Sequence, residues 1–432
     1  MKNVLVIGAA RSGIAAARLL EKNGCNVVLT DMKEIPEKES LHNIEVYDNG
    51  HPDFLKEREY DFIVKNPGIP YRAPFVKYFQ EKGLPIYTEI ETASKLADNL
   101  KYGAITGTDG KTTVTTLLWE MLKKKDPNAR VAGNIGIPLS EVVLELDGAP
   151  ADVALELSNF QLLGTETFHP QVCTVTNLAP DHLDYMDSLE DYYSSKMRIY
   201  QNCDEDDWFI RNIDDPEIMK HAKDIPCKIV DFSLTGPADL ERHDGWTWLF
   251  GEKLFEESDL KLVGDFNLGN AMMAAAMAVK LGVDIEDICD VVRTFAGVEH
   301  RIEYVTTIDG VRIYNDTKAT NTHAACAALS AFKDNVILLC GGKDKHISFE
   351  DMKQYDPIIK YCFSFGQTKD RFKDIFTHQK SVETMEEALD EALKIAEPGD
   401  TILLSPACSS FDQFKNYEVR GEIFKDLVKQ RS

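Results

Sequence analysis

AITGTDGKTTVTTLLWEML, residues 104–122, is the stretch whose reading decides the fold. An apolar strand end at Ala104 and Ile105 runs into Gly107 and Gly110. After Lys111 and Thr112, Val114, Leu117, Leu118, Met121 and Leu122 recur at helical spacing. A strand, a glycine loop and a helix in this order aim backbone N–H groups at one spot. The helix N-terminus behind them favours an anion there. Gly107 and Gly110 admit close approach of the backbone, Lys111 reaches terminal phosphates, and the Thr112 hydroxyl suits Mg²⁺. The usual GxxxxGK[ST] spacing needs glycine at 105, where Ile105 stands, so TGTDGKTT is a shorter variant. On Gly-Lys-Thr alone, an ordinary turn with a solvated lysine stays open.

Outward from this loop the chain alternates strands and helices. NVLVIG (3–8), a helix at 14–24, NVVLTD (26–31) and DFIVKNPGI (61–69) precede it. DVALELS (152–158) and QVCTVTNL (171–178) are strands beyond it, and residues 267–283 form a helix. VRIYND (311–316), NVILLCGG (335–342), YCFSFG (361–366) and DTILLSPA (400–407) are the strands of a third unit. This beat predicts an α/β protein of three domains. They are a Rossmann-like domain at 1–93, a P-loop ATPase-type domain with a mostly parallel sheet at 94–298, and a second Rossmann-like domain at 299–432.

Composition excludes several classes. The chain has 432 residues and a formal net charge of −24, from 72 acidic and 48 basic residues. A surface of that sign repels polyphosphate chains, so no nucleic-acid partner is expected. No apolar run approaches the roughly 20 residues of a membrane helix, so no membrane partner is expected. MKNVLVIGAARSG reads as a strand and not a signal peptide, because Arg11 interrupts the apolar run; a cytoplasmic monomer is expected. The nine cysteines form no CxxC pair, which fits reduced thiols.

Further motifs carry a family resemblance. TGTDGKTT resembles the ATP loop of the Mur ligases and the related folylpolyglutamate synthases. GNIG (133–136), ELSNFQL (156–162), TNLAPDHLDYM (176–186) and YYSSKMRIY (192–200) follow in the family's order. So do GDFNLGNAMMA (264–274), GVEHRIE (297–303) and YNDTKATN (314–321). LSPACSSFDQFKNYEVRG (404–421) resembles the branch of the family that adds D-glutamate.

The resemblance implies an ATP site made of Gly107, Thr108, Asp109, Gly110, Lys111, Thr112, Thr113, Asn267, Asn270, Arg301, Asp316 and Lys318. It implies catalysis by Lys111, Glu156, His182 and Lys196, and two Mg²⁺ ions held by Thr112, Glu156, His182 and a carbamylated Lys196. It implies that the first domain binds UDP-N-acetylmuramoyl-L-alanine through Arg11, Ser12, Asp31, Asn66 and Gly68, with Asn134 and His182. D-glutamate then falls to Thr320, Lys345, Ser410 and Tyr417. Asp109 stands where many members carry asparagine, and Tyr417 where a plain aromatic is common.

On the residues alone, plainer roles stay open. Glu156 reads as a solvated strand-end carboxylate or a helix cap, although its oxygens suit Mg²⁺. His182, in a loop after a strand, reads as polar surface, although beside a metal a neutral ring nitrogen is a ligand. Lys196 reads as a solvated helix lysine, and Arg301, Asp316 and Lys318 as surface ion-pair residues. VIGAARSG with Asp31 is a near match to the dinucleotide fingerprint, but Ala10 replaces its second glycine. A nicotinamide oxidoreductase would rest on that segment, and a P-loop switch on 107–113 alone. Neither gives Glu156, His182 and Lys196 a role.

Overall fold

The computed structural model describes residues 1–180, 186 and 188–431. The chain divides into two compact units, Met1–Phe255 with Asn270–Val291, and Glu256–Gly269 with Val292–Ser432. The first unit contains two sheets. Five parallel strands lie in the order Glu45–Tyr47, Asn26–Thr30, Asn3–Ile7, Phe62–Lys65, Ile86–Tyr87. Successive strands are added on one side of Asn3–Ile7 and then on the other, and at such a switch point open α/β sheets place ligands. The helix after that strand spans Arg11–Lys22 and so starts three residues earlier than its apolar periodicity suggests. First-turn N–H groups need no intrahelical partner, so the polar Arg11 and Ser12 fit there.

The second sheet has nine strands. Val172–Val175, Leu100–Thr106, Ala151–Glu156 and Arg130–Gly133 are adjacent and parallel at one side. Val153, Ala154 and Leu155, and likewise Cys173, Thr174 and Val175, are all fully buried, the two-faced burial that parallel strands demand. The other side ends in Leu240–His243, Trp246–Leu249 and Glu252–Glu256. The sequence reading assigned nothing there. Asp244 and Gly245 both have positive φ in the tight turn of the Leu240–His243/Trp246–Leu249 hairpin, and Asp-Gly is the turn signal that marks it.

The second unit holds a six-stranded sheet in the order Glu303–Ile308, Val311–Asn315, Thr401–Leu404, Val336–Gly341, Ile359–Phe365, Gln379–Ser381. Only its first pair is antiparallel. Among the described residues no helix is long and apolar enough to cross a membrane.

Two buried carboxyls on the short helix Glu89–Ser94 fasten the first sheet to the second. Glu91 accepts from the backbone N–H groups of Glu166, Thr167 and Phe168, from the Thr167 hydroxyl, and pairs with Lys95 at 2.8 Å. Those donors outweigh burial and hold its pKa below the usual value. Glu89 has one backbone donor, Ser140, so burial prevails and its pKa rises to about 7. The sign follows by linkage. A carboxyl raised from 4.5 gives its full contribution below about pH 4.5 and loses it as pH rises to about 7. Glu89→Gln is therefore expected to raise stability at pH 8 by about 1–3 kcal/mol and to flatten the melting temperature between pH 5 and 8. Thermal melts across that range check it; an unchanged slope would count against it.

Candidate active site

Three parallel strand ends converge on the glycine loop. Ile105 lies beside Glu156 and Thr106 beside Val175 in register. Gly107 follows with φ +141°, and an added Cβ would sit 2.0 Å from the Thr176 hydroxyl. Gly110 has φ +79° and caps the helix Lys111–Lys125; a Cβ there would meet the Asn270 side chain at 2.5 Å. Only glycine fits both places. Asn177 secures the loop from below: its side chain accepts from Asp109 N–H at 3.0 Å and donates to Asp109 carbonyl at 3.0 Å. The Asp109 side chain itself is exposed. Thr108 donates to Ala179 carbonyl and lies 3.4 Å from the Tyr192 hydroxyl. Thr112 is half-buried and Thr113 buried in the first turn of the helix.

Lys111 donates to the carbonyls of Gly107 (3.0 Å) and Thr108 (2.6 Å). Lys196, on the helix Leu189–Met197, is 2% exposed and donates to the same Gly107 oxygen at 2.6 Å. Its ammonium also lies 4.6 Å from the Tyr192 ring. The expectation of a solvated helix lysine is thus corrected. Two ammonium groups share one carbonyl, Lys196 buried and Lys111 half-buried. Nearby, Glu156 is 1% exposed. Its Oε1 accepts from Asn134 at 2.7 Å, while Oε2 is buried with no hydrogen-bond partner among the described residues. A carboxylate oxygen kept dry and unsatisfied is the donor a hard divalent cation takes. Glu156 is therefore no solvated strand end. His182 lies outside the described residues.

At the first sheet, Ser12 and Asn66 are bonded side chain to side chain (3.0 Å), and the Asn66 carbonyl oxygen of the amide accepts from Gly68 N–H at 3.1 Å. Arg11 donates to Gly136 carbonyl at 2.9 Å, in the loop that carries Asn134. Asp31 uses both oxygens on its own neighbourhood, accepting from Ala9 N–H at 2.6 Å and Lys33 N–H at 2.8 Å. It braces the turn after the first strand.

In the second unit, Asn267 is buried and donates to Val263 carbonyl. Arg301 and Lys318 are exposed, but Asp316 is not. It accepts from Ile302 N–H and the Ser405 hydroxyl, and burial lifts its pKa to about 7. The reading of Asp316 as a surface ion-pair residue is corrected: it holds the turn that presents Arg301. Lys345 is exposed, Thr320 half-buried, and Ser410 buried in the turn before the helix Tyr417–Lys429. Tyr417 sets its ring edge-on to His300 at 6.1 Å.

Two residues escaped the sequence reading. Arg420 is fully buried and donates to the Thr317 hydroxyl (2.8 Å), Thr317 carbonyl (2.9 Å) and Cys408 carbonyl (3.1 Å). It thereby stitches the turn bearing Lys318 to the turn bearing Ser410. Burial pulls its pKa down to about 10, so it stays cationic at neutral pH. Lys65, in the quoted DFIVKNPGI, is the other; its signal is a lysine between an apolar strand and a turn with two prolines.

The Mur ligase middle domain profile matches residues 105–278, and that of the Mur ligase glutamate ligase domain matches 300–408. UDP-N-acetylmuramoylalanine–D-glutamate ligase of Geobacillus kaustophilus is 42% identical over 99% of this chain and 97% of its own length. The enzyme of the same name from Bacillus subtilis is 39% identical with the same coverage. UDP-N-acetylmuramate–alanine ligase MurC of Thermotoga maritima aligns over 100% of both chains with a TM-score of 0.56 at 18% identity. MurF of Acinetobacter baumannii aligns over 99% of this chain and 90% of its own, with a TM-score of 0.57 at 17% identity. With both domain profiles and full-length relatives at this identity, the chain belongs to the Mur ligase family.

Proposed function

We propose that this chain is an ATP-dependent ligase that joins D-glutamate to UDP-N-acetylmuramoyl-L-alanine in the cytoplasm, as a monomer, during assembly of peptidoglycan precursors. The observation that carries it is the cluster at Gly107. A phosphate-loop lysine and a buried lysine share one carbonyl there, beside the strand end that carries the unsatisfied Glu156 oxygen. The names of the full-length relatives supply the substrates.

The reaction runs in two steps. A carboxylate oxygen of the alanyl end attacks the γ-phosphorus of ATP; the bond to the bridging oxygen breaks and ADP leaves. Lys111 and the N–H groups of the loop meet the charge on the transferring phosphoryl group, so positioning and electrostatics supply the rate. The D-glutamate nitrogen then attacks the acyl carbon, a C–N bond forms, and inorganic phosphate leaves. The amine's proton goes to a base, for which His182 is the candidate. Phosphate leaves far more readily than oxide, which is why ATP is consumed.

Glu156 Oε2, the Thr112 hydroxyl, His182 and a carbamate on Lys196 would hold two Mg²⁺, and the unsatisfied Oε2 fits that assignment. Bound Mg²⁺ neutralises phosphate charge. We assign residues 1–93 to the nucleotide-linked substrate, with Arg11, Ser12, Asn66 and Gly68 nearest it. Residues 94–298 take ATP on the loop at 107–113. Residues 299–432 take D-glutamate through Thr320, Lys345, Ser410 and Tyr417.

Phosphate release from ATP, measured with UDP-N-acetylmuramoyl-L-alanine and a panel of D- and L-amino acids, tests the assignment. Release is expected with D-glutamate and at least about a hundredfold less with L-glutamate. Equal release without any amino acid would return the chain to a phosphate-loop switch.

A further inference from the structure

The strand Phe62–Lys65 delivers Lys65 to the turn Asn66-Pro67-Gly68-Ile69, with Pro70 next. Backbone accounting there is unusual. Pro67 and Pro70 have no N–H. The three donors that remain are committed: Asn66 N–H to Ile7 carbonyl, Gly68 N–H to the Asn66 side chain, and Ile69 N–H to Asn66 carbonyl. Lys65 supplies what the prolines withhold. Its side chain is 1% exposed, and its ammonium donates to the carbonyls of Asn66 (3.2 Å), Pro67 (3.4 Å) and Ile69 (2.7 Å). An ammonium has three N–H donors, and all three go to one turn. The Tyr71 ring closes the cage at 4.6 Å.

We propose that Lys65 is a positioning residue for the nucleotide-linked substrate: its buried ammonium shapes the Asn66–Ile69 turn from within and lends it the positive charge that attracts a diphosphate. This rests on the reading above that Ser12, Asn66 and Gly68 face the nucleotide. Lys65 does not touch the ligand. It acts through Asn66, whose amide is bonded to Ser12 on one side and to Gly68 on the other. In a chain of net charge −24 an anion needs local cations, and a cation in low dielectric is weakly screened by salt. Arg11, by contrast, is mostly exposed, and its guanidinium is engaged with Gly136 and Glu141.

Burial lowers the Lys65 pKa to about 8. Tyr71, the titratable ring packed on it, is raised above its ordinary value by burial, with Arg198 opposing. Asn66, Pro67 and Ile69 do not titrate. Between pH 7 and 9 the ammonium therefore discharges while Tyr71 stays neutral, and the β-phosphate of UDP is already mostly ionised at pH 7.

The test uses the full chain with UDP as probe, by calorimetry, and steady-state kinetics. Wild-type affinity for UDP is expected to fall up to about tenfold from pH 7 to 9. Lys65→Met is expected to raise the KM for UDP-N-acetylmuramoyl-L-alanine at pH 7 by a similar factor, to lose the pH dependence, and to leave the KM values for ATP and D-glutamate within twofold. Wild-type affinity that is flat over this range overturns the inference even if Lys65→Met does not fold. Asn66→Ala separates the two layers. If it weakens UDP while Lys65→Met does not, the role of Lys65 fails alone. If Asn66→Ala leaves UDP affinity unchanged, the nucleotide reading of the turn fails and takes this inference with it.

Discussion

Lys111→Ala is expected to abolish ligation, with kcat/KM lower by at least about 10³-fold, while the chain stays folded. The Lys111 ammonium lies on the Gly107 and Thr108 carbonyls, in the loop that leads into the N-terminus of the helix Lys111–Lys125. Charge grows on the phosphoryl oxygens in the transition state, and a fixed cation there needs no reorganisation. An alanine leaves that charge to the solvent. Folding depends on this side chain far less. Two carbonyls lose a donor, worth about 1–2 kcal/mol together, and the Gly107 carbonyl keeps its bond from Lys196. Phosphate release and a thermal melt on the same preparation decide the matter. Activity within tenfold of wild type, with an unchanged melt, would remove Lys111 from the phosphate site. Lys111→Arg is expected to recover little, because a planar fork cannot replace a compact ammonium above a tight loop.

The residues that spoke from the sequence are those whose chemistry is local. Gly107, Gly110, Lys111 and Thr112 belong to one loop, and backbone approach to phosphate constrains their types whatever packs around them. The strands beside them were legible for a similar reason: a run such as DVALELS has few structural uses besides a buried parallel strand. What was not legible depends on distant partners. The Arg420 guanidinium bonds Thr317, which stands 103 positions earlier, so its stitching role has no signature in NYEVRG. Asp316 reads as exposed until Ser405 and Ile302 close over it. Nothing in DFIVKNPGI shows that the Lys65 ammonium turns back onto the carbonyls of Asn66, Pro67 and Ile69. The hairpin at 240–249 was missed for another reason. Its strands are four residues each and mix tryptophan with charged residues, so period-two alternation is weak, and only Asp244-Gly245 announces the turn.

Lys196→Ala tests the least local of the assignments, the carbamate. Lys196 is 2% exposed, stacked on Tyr192 and bonded to the carbonyl that Lys111 also uses. Held as ammonium beside Lys111, it opposes the like charge and places no oxygen near Glu156's unsatisfied Oε2. Carbamylation changes both terms. The neutral amine nitrogen attacks the carbon of CO₂, a proton is released, and the side chain becomes an anion with two oxygens. That product suits a loop already holding Lys111 and gives a hard cation the oxygen ligands it prefers. Truncation to alanine is expected to cut kcat by about 10²–10⁴-fold, the range for loss of an electrostatic support to phosphoryl transfer. A purely structural lysine would also be missed when removed, so activity loss alone decides nothing. Rescue does: acetate or formate entering the space of the missing side chain is expected to restore part of kcat in Lys196→Ala and to leave wild type unaffected. A carbonyl resonance from ¹³C-bicarbonate, present in wild type and absent from Lys196→Ala, gives an independent reading. Full activity in the variant, or loss with neither rescue nor resonance, would leave Lys196 as a cation bracing the Gly107 carbonyl and remove the carbamate from the mechanism.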